Sequence, residues 1–230
     1  MEHFTEPIID FRGVARLFPL PNLVLFPQAV APLHVFEPRY RALVEDALAG
    51  DRLIAMALLL PGWENDYEGR PPVASVICLG RILSQAKLPD GRFNLLLAGV
   101  QRAVIRRELP PTQLFREAEV DLLEDEYPSA GLENRVRLRE ELLQRVGQHL
   151  PGSIAAQEQF EQFISRPLPL GSLVDILAHV VPLSVAVKQR LLEEVNVDRR
   201  AMLLLEQLTL LPDKPFGPAS HRGFPRFSDN

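Results

Sequence analysis

Residues 17–36 of the chain, LFPLPNLVLFPQAVAPLHVF, constrain the fold more than any other segment does. The segment carries no formal charge, and its length would suffice for a membrane-spanning helix. It also contains four prolines, and a proline inside a helix removes a backbone donor and clashes with the preceding turn. In lipid the freed carbonyl groups would find no partner. We therefore predict that the segment runs extended across the core of a globular domain, with short strand pieces such as 23–26.

The sequence after this segment predicts one helix and then several strands. Pro38 suits the first position of a helix, and apolar residues recur with helical spacing from there until Gly50. Short apolar runs then alternate with turn signals such as Pro-Asp-Gly. The predicted strands cover residues 54–60, 73–86, 93–98, 103–105 and 118–122. Residues 14–123 are thus expected to form a small, mostly antiparallel sheet or barrel with one helix near its start.

In the second half of the chain the hydrophobic period becomes that of helices. Residues 132–211 are predicted to form a helical bundle. The expected helices are one that ends at Pro151, one at 154–165, and three that begin at caps formed by Ser172, Ser184 and Asp198. An N-terminal extension is expected at 1–13, a polar linker at 124–131 and a proline-rich flexible tail at 212–230. The predicted fold class is therefore α+β.

Charge and cysteine content exclude some classes of function. The chain holds 25 basic and 30 acidic residues, so a nucleic-acid backbone has no broad basic surface to meet. The best local basic cluster consists of Arg102, Arg106 and Arg107. Cys78, the single cysteine, lies among apolar residues and is expected to be buried and unreactive. The N-terminal residues lack the layout of a secretion signal, so we expect a cytoplasmic protein.

Motifs for cofactor, metal or catalytic chemistry are missing from the sequence. It has no Walker-type phosphate loop, no HExxH zinc motif and no GxSxG nucleophile elbow, so neither a cofactor nor a metal is expected. Pro-Ser-Ala-Gly at 128–131 matches a motif in which serine is a nucleophile activated by lysine. Such a serine needs a base within hydrogen-bond reach. The downstream candidate, Lys188, is expected on an exposed helix face, so a hydrolase that uses Ser129 is a disfavoured alternative.

Three long stretches resemble the N-terminal domain of Lon, the ATP-dependent protease. They are LFPLPNLVLFPQAVAPLHVFEPRYRALVEDAL, LGRILSQAKLPDGRFNLLLAGVQRAVI and LVDILAHVVPLSVAVKQRLLEEVNVDRR, and together they extend over about residues 14–211. The resemblance implies a pseudo-barrel related to the PUA fold, followed by a helical bundle. It also implies a role in recognising protein substrates. Because the sequence lacks the family's ATPase and protease domains, we expect a stand-alone module without catalytic activity.

The leading hypothesis is a module that binds exposed apolar or unstructured segments of other proteins. Trp63 and Tyr67, in the loop at 61–72, are candidate contact residues because large amphipathic rings often anchor interfaces. Phe36 and Tyr40 are further candidates, although we expect them to pack where the barrel meets the helix.

Two roles fit such a module. It could be an adaptor that delivers protein or peptide clients to a separate ATP-dependent protease, or a holdase that retains them. RNA binding, by analogy with PUA-like folds alone, is the alternative from another class, while no membrane partner is expected.

Overall fold

The computed structural model describes residues 11–212, apart from 68, 150–157, 159–161 and 163–166. The chain divides into two compact units, and the boundary along the sequence falls between Glu124 and Asp125. The first unit contains a six-stranded sheet and one helix, and the described part of the second contains four further helices. This mixed architecture confirms the predicted α+β class.

Six strands and a helix make up the first unit. The strands are β1 (Val14–Leu20), β2 (Val30–Val35), β3 (Leu53–Leu58), β4 (Val76–Lys87), β5 (Phe93–Glu108) and β6 (Arg116–Leu123). Helix α1 (Pro38–Ala49) lies between β2 and β3 along the chain, and its buried residues face β1 and β3. Pro38 occupies its first turn and Gly50 follows its end, as the sequence predicts.

Pairing closes five of these strands into a ring. β1 pairs with β3 and β6, β4 pairs with β3 and β5, and β5 also pairs with β6. Only the β1–β3 pairing is parallel, so the predicted, mostly antiparallel sheet is confirmed. The ring is filled by small and medium apolar side chains, as in other small barrels. The buried cluster consists of Ala15, Leu17, Ala55, Ala57, Ile77, Leu79, Ala103, Ala118 and Val120.

Two predicted strands differ from the structure. Residues 23–26 lie in the loop between β1 and β2, where Gln28 has a φ of 66° and the Ala29 amide donates to the Phe26 carbonyl at 3.1 Å. The chain therefore turns here instead of pairing, although most of the segment is buried. Residues 103–105 are not a separate strand, because β5 continues through them to Glu108 and pairs with β4 on one side and β6 on the other.

The second unit contains four described helices. They are α2 (Leu132–Gln148), α3 (Leu170–Val180), α4 (Val185–Glu193) and α5 (Val197–Leu210). The helix expected at 154–165 lies, except for Glu158 and Gln162, outside the described residues. Within the described ranges, no helix is both long and apolar enough to cross a membrane.

One predicted helix cap is confirmed and two are wrong. The Ser184 hydroxyl accepts from the Val187 amide at 3.3 Å at the start of α4. Asn196, not Asp198, caps α5, because its side-chain oxygen accepts from the Arg199 amide at 3.1 Å. Ser172 lies inside α3, which begins two residues earlier, and therefore caps nothing.

Residues 125–131 belong to the second unit rather than forming a free linker. The Glu126 amide donates to the Val195 carbonyl at 2.9 Å, and the Val197 amide donates to the Glu126 carbonyl at 3.0 Å. The Tyr127 hydroxyl accepts from the Gly171 amide at 3.3 Å. The extension predicted at 1–13 and the tail predicted at 212–230 fall mostly outside the described residues.

Candidate functional site

The β3–β4 loop, residues 59–75, carries the two aromatic residues that the sequence singles out. Gly62 adopts a φ of 93°, a left-handed conformation that glycine reaches without a Cβ clash, and a 3₁₀ turn at Trp63–Asp66 follows it. The ends of the loop are tied together, because the Leu60 amide donates to the Pro72 carbonyl at 2.9 Å. Trp63 and Tyr67 are therefore presented by a hydrogen-bonded turn and are both half-buried.

Residues at the start of α1 hold this loop against the barrel. The Tyr67 hydroxyl donates to the Glu37 carboxylate at 2.6 Å, and an Arg39 guanidinium nitrogen donates to the Tyr67 carbonyl at 3.2 Å. The Arg39 guanidinium also lies over two rings, 4.7 Å from the centre of Tyr67 and 4.8 Å from the centre of Tyr40. Arg39 and Glu37 form an ion pair at 2.9 Å, so the loop is fixed by charge as well as by ring contacts.

These contacts form what we call the aromatic column, which runs from Phe18 through Tyr40, Arg39 and Tyr67 to Trp63. The Phe18 and Tyr40 rings stack with centres 4.2 Å apart, and Trp63 meets Tyr67 edge to face at 5.4 Å. Phe18 and Tyr40 are buried, whereas Tyr67 and Trp63 are half-buried. The column thus connects the core to the surface and holds its outer rings in place.

The structure separates the four predicted contact residues into two groups. Tyr40 is only 5% exposed and its hydroxyl donates to the Pro19 carbonyl at 3.1 Å, so little of its side chain is accessible to a partner. Phe36 is half-buried, with its ring centre 6.2 Å from that of His34, and like Trp63 and Tyr67 it is partly accessible. Tyr40 packs between the Phe18 ring and the Arg39 guanidinium. This packing accounts for an aromatic residue at this position of α1 without a role in binding a partner.

Burial also sets the protonation state of the site. Burial, together with the hydrogen bond to Glu37, raises the pKa of Tyr67 to about 12. Burial raises the pKa of Tyr40 as well. Both phenols are therefore neutral at physiological pH and act as hydrogen-bond donors. The site can offer ring faces, hydrogen bonds and the charges of Glu37 and Arg39 to a partner.

The basic cluster of the RNA-binding alternative is largely neutralised. Arg102 is only 2% exposed, so it is not available at the surface. Arg106 forms an ion pair with Asp121, and Arg107 forms a bidentate pair with Glu119 at 2.5 and 2.8 Å. The acids that pair with these arginines lie on β6, next to β5, and the sequence alone did not reveal that register.

The geometry also fails to support catalysis by Ser129. Ser129 is exposed in a 3₁₀ turn before α2. Lys188 is not on an exposed face as predicted: it is partly buried and its ammonium donates to the His179 carbonyl at 2.6 Å, while burial lowers its pKa to about 8. No hydrogen bond joins these two residues, both of which the structure describes. Among the residues with described placement, no group of three or more His, Cys, Asp or Glu could hold a metal.

The fold is that of Lon N-terminal domains. The chain superimposes on the N-terminal domain of the Lon protease from the Mycobacterium avium complex with a TM-score of 0.66 and 20% identity, over 85% of this chain and 98% of that one. A Lon N-terminal domain protein from Xanthomonas campestris gives a TM-score of 0.57 at 24% identity, with 86% and 99% covered.

Sequence comparison then establishes the family. Residues 14–209 match the family described as the substrate-binding domain of ATP-dependent protease La (LON), and the chain belongs to that family. It is 30% identical to Lon protease 2 of Myxococcus xanthus over 86% of this chain and 24% of that protein. It is 26% identical to the Lon protease of Desulfosudis oleivorans, with 84% and 23% covered. The chain thus spans about a quarter of the length of these relatives, and the resemblance to the Lon N-terminal domain is confirmed.

Proposed function

We propose that residues 14–209 form a non-catalytic module that binds exposed apolar or unstructured segments of other proteins at the surface around Trp63, Tyr67 and Phe36. Membership of a family described as a substrate-binding domain supports a role in binding protein substrates. The observation that carries the choice of surface is the Trp63–Tyr67 pair, which is half-buried and held at the barrel surface by Glu37 and Arg39.

Preorganisation is the physical reason for this choice. Aromatic side chains supply large contact areas, and a ring that is already ordered loses little further entropy when a partner binds. Tyr67 is fixed by a hydrogen bond and by the Arg39 guanidinium, and Trp63 rests against Tyr67. An unstructured client can therefore contact ordered rings without first having to order the loop.

The proposed setting is the cytoplasm, and the proposed partners are protein or peptide clients. The relatives are named as proteases, and this chain matches only a quarter of their length. We propose that the module delivers its clients to a separate ATP-dependent protease, with a holdase role as the second possibility. Co-purification from cell extract distinguishes the two, because an adaptor recovers the protease together with clients and a holdase recovers clients alone.

The test of the binding surface is truncation of the outer rings. Trp63→Ala should weaken binding of a labelled, permanently unfolded polypeptide about tenfold, measured by fluorescence anisotropy. The melting temperature should change by no more than about 2 °C, because the ring is at the surface. Leu96→Ala is the matched control, since Leu96 is exposed on β5 outside the aromatic column. Unchanged affinity in Trp63→Ala would remove this surface from the function.

A further inference from the structure

A second loop emerges from the barrel at the same end as the loop that carries Trp63. β4 runs antiparallel to both β3 and β5, so the β3–β4 loop and the β5–β6 loop, residues 109–115, leave neighbouring strand ends. The Ile105 amide donates to the Ser75 carbonyl at 2.8 Å, which places the end of β5 beside the end of the first loop. Leu114, in the second loop, is 73% exposed, more than any other large apolar residue of the described chain.

Hydrogen bonds from two arginines, both of which also pair with one glutamate, connect the bases of these loops. Arg70, in the β3–β4 loop, donates to the Glu108 carboxylate at 3.0 Å and to the Leu109 carbonyl at 3.1 Å. Arg116, at the start of β6, donates to the same carboxylate at 3.0 Å and to the Pro71 carbonyl at 2.8 Å. The arginine beside each loop thus bonds to the backbone of the other, and Glu108 binds both. The two loops are therefore positioned as one surface.

The charge on this surface is negative. Glu64 and Asp66 are exposed on the 3₁₀ turn between Trp63 and Tyr67, and neither forms an ion pair with a described residue. The sequence of the second loop, LPPTQLF, contains no charged residue. Arg70 and Arg116 share the single Glu108 carboxylate, and the described charged groups of the two loops and their bases remain net negative because of Glu64 and Asp66. A partner that fills this surface therefore meets apolar side chains beside the two exposed carboxylates of the first loop.

We propose that the two loops form a single docking surface for an extended polypeptide segment in which lysine or arginine adjoins large apolar residues. The proposal rests on the proposed function and narrows its substrate class. Leu114 and Trp63 contact the apolar side chains of the segment, and Glu64 and Asp66 attract its cations. Glu108, together with Arg70 and Arg116, positions the loops.

The experiment compares two synthetic peptides with the same leucine and phenylalanine content, one with interspersed lysines and the other with glutamates at the same positions. Each exposed charge pair contributes modestly, so we expect the lysine peptide to bind about three- to tenfold more tightly at low salt. The difference should shrink as salt rises. Trp63 is the only tryptophan in the chain, so its emission reports whether binding occurs at this loop.

Three changes separate the contributions. Glu64→Gln combined with Asp66→Asn should abolish the preference for lysine while leaving the affinity for the glutamate peptide equal or higher. Leu114→Ser should weaken both peptides about threefold or more, whereas Leu96→Ser, at another exposed leucine, should not. Arg70→Met should weaken both peptides because this residue positions the loops, and the preference for lysine should stay the same or increase because a positive charge is removed from the surface.

The outcomes separate this inference from the proposed function. Equal binding of the two peptides, or an unaltered affinity in Leu114→Ser, overturns the inference, while weakening by Trp63→Ala would leave the proposed function standing. If the wild-type protein binds neither peptide and does not bind the unfolded polypeptide, both proposals fail. A lysine preference that survives the Glu64 and Asp66 changes places the cation site elsewhere and also overturns the inference.

Discussion

Tyr67 donates its hydroxyl hydrogen to Glu37 at 2.6 Å, across a sequence separation of 30 residues. This bond ties the loop that carries Trp63 to the start of α1. Because Arg39 also lies against the Tyr67 ring, the order of the loop depends on the helix start as well as on its own sequence.

Replacement of Glu37 by glutamine should lower the pKa of Tyr67 from its value of about 12, because the negative charge that disfavours the phenolate is removed while burial stays. Absorbance at 295 nm during an alkaline titration measures this. The pKa of Tyr67 is higher in the folded protein than the unfolded value of about 10. The neutral phenol therefore contributes stability that is fully present below this pH and is lost as the pH rises toward 12.

Glu45→Gln is the matched control for that titration, since Glu45 lies on α1, the helix that Glu37 precedes, and pairs with Lys87 instead. Its tyrosine titration should match that of the wild type. An identical curve for the Glu37 variant would mean that Glu37 does not control the hydroxyl.

Removal of the Arg200 guanidinium should destabilise the second unit strongly. Arg200 is completely buried and bonds to Asp125 at 2.7 Å and to the Glu194 carbonyl at 2.7 Å, and it pairs with the buried Asp175 at 3.3 Å. Arg200→Met removes the cation of a buried ion-pair network, which costs about 3–5 kcal/mol. Urea unfolding followed by circular dichroism measures the loss.

Arg137→Met is the control in the same unit, because Arg137 is exposed and pairs with Glu141 at 3.6 Å. Its effect should stay below about 1 kcal/mol. Similar losses for the two variants would show that the buried network does not stabilise the unit as argued.

Gly171→Ala should destabilise α3 and the segment at 125–127. A Cβ at this position would overlap the Asp125 carboxylate and lie 2.8 Å from the Tyr127 hydroxyl and 3.0 Å from an Arg200 nitrogen. Since overpacking of this kind costs about 1–3 kcal/mol, the midpoint of urea unfolding should fall measurably. Ser172→Ala, one residue further along the helix, should change it little, and an unchanged midpoint for Gly171→Ala would mean that the segment at 125–127 can move away freely.

Lys188 should make the stability of the second unit depend on pH. Burial lowers its pKa to about 8, whereas an unfolded lysine titrates near 10.4 or so. Between these values the unfolded chain binds more protons, so the free energy of unfolding gains a positive slope with pH; below about pH 8 both states are protonated and the cost of burying the charge is fully present.

Urea unfolding at pH 7, 8.5 and 10 tests this. The stability of the wild type relative to Lys188→Met should increase over that range. The stability of the wild type relative to Lys87→Met, which removes an exposed lysine paired with Glu45, should not increase in this way. Parallel pH profiles for the wild type and Lys188→Met would contradict the lowered pKa.

Local signals accounted for most of the element types. Proline placement excluded a membrane helix at 17–36 and predicted an extended segment, and the segment forms the end of β1, a loop and β2. Helical spacing after Pro38 and the cap at Ser184 were also read correctly, because both depend on residues within one or two turns. The cap predicted at Asp198 was wrong because Asn196, two residues earlier, is a residue type that caps helices equally well, and residue type alone does not choose between the two.

The sequence predicted only some of the residues that form the candidate site. Trp63 and Tyr67 could be selected as aromatic rings in a loop, whereas Tyr40, expected to pack where the barrel meets the helix, is buried. Glu37 and Arg39 were missed, because their contacts with Tyr67 cross about 30 residues.

By itself, the sequence determined which segments are extended and which are helical, because backbone preference and side-chain period act over a few residues. Only the tertiary structure decided which charges meet. Acids on β6 balance the charges of Arg106 and Arg107, and Glu108 joins two loops, because strand register brings together groups that are distant in sequence. Register depends on the closure of the whole barrel, which no local pattern specifies.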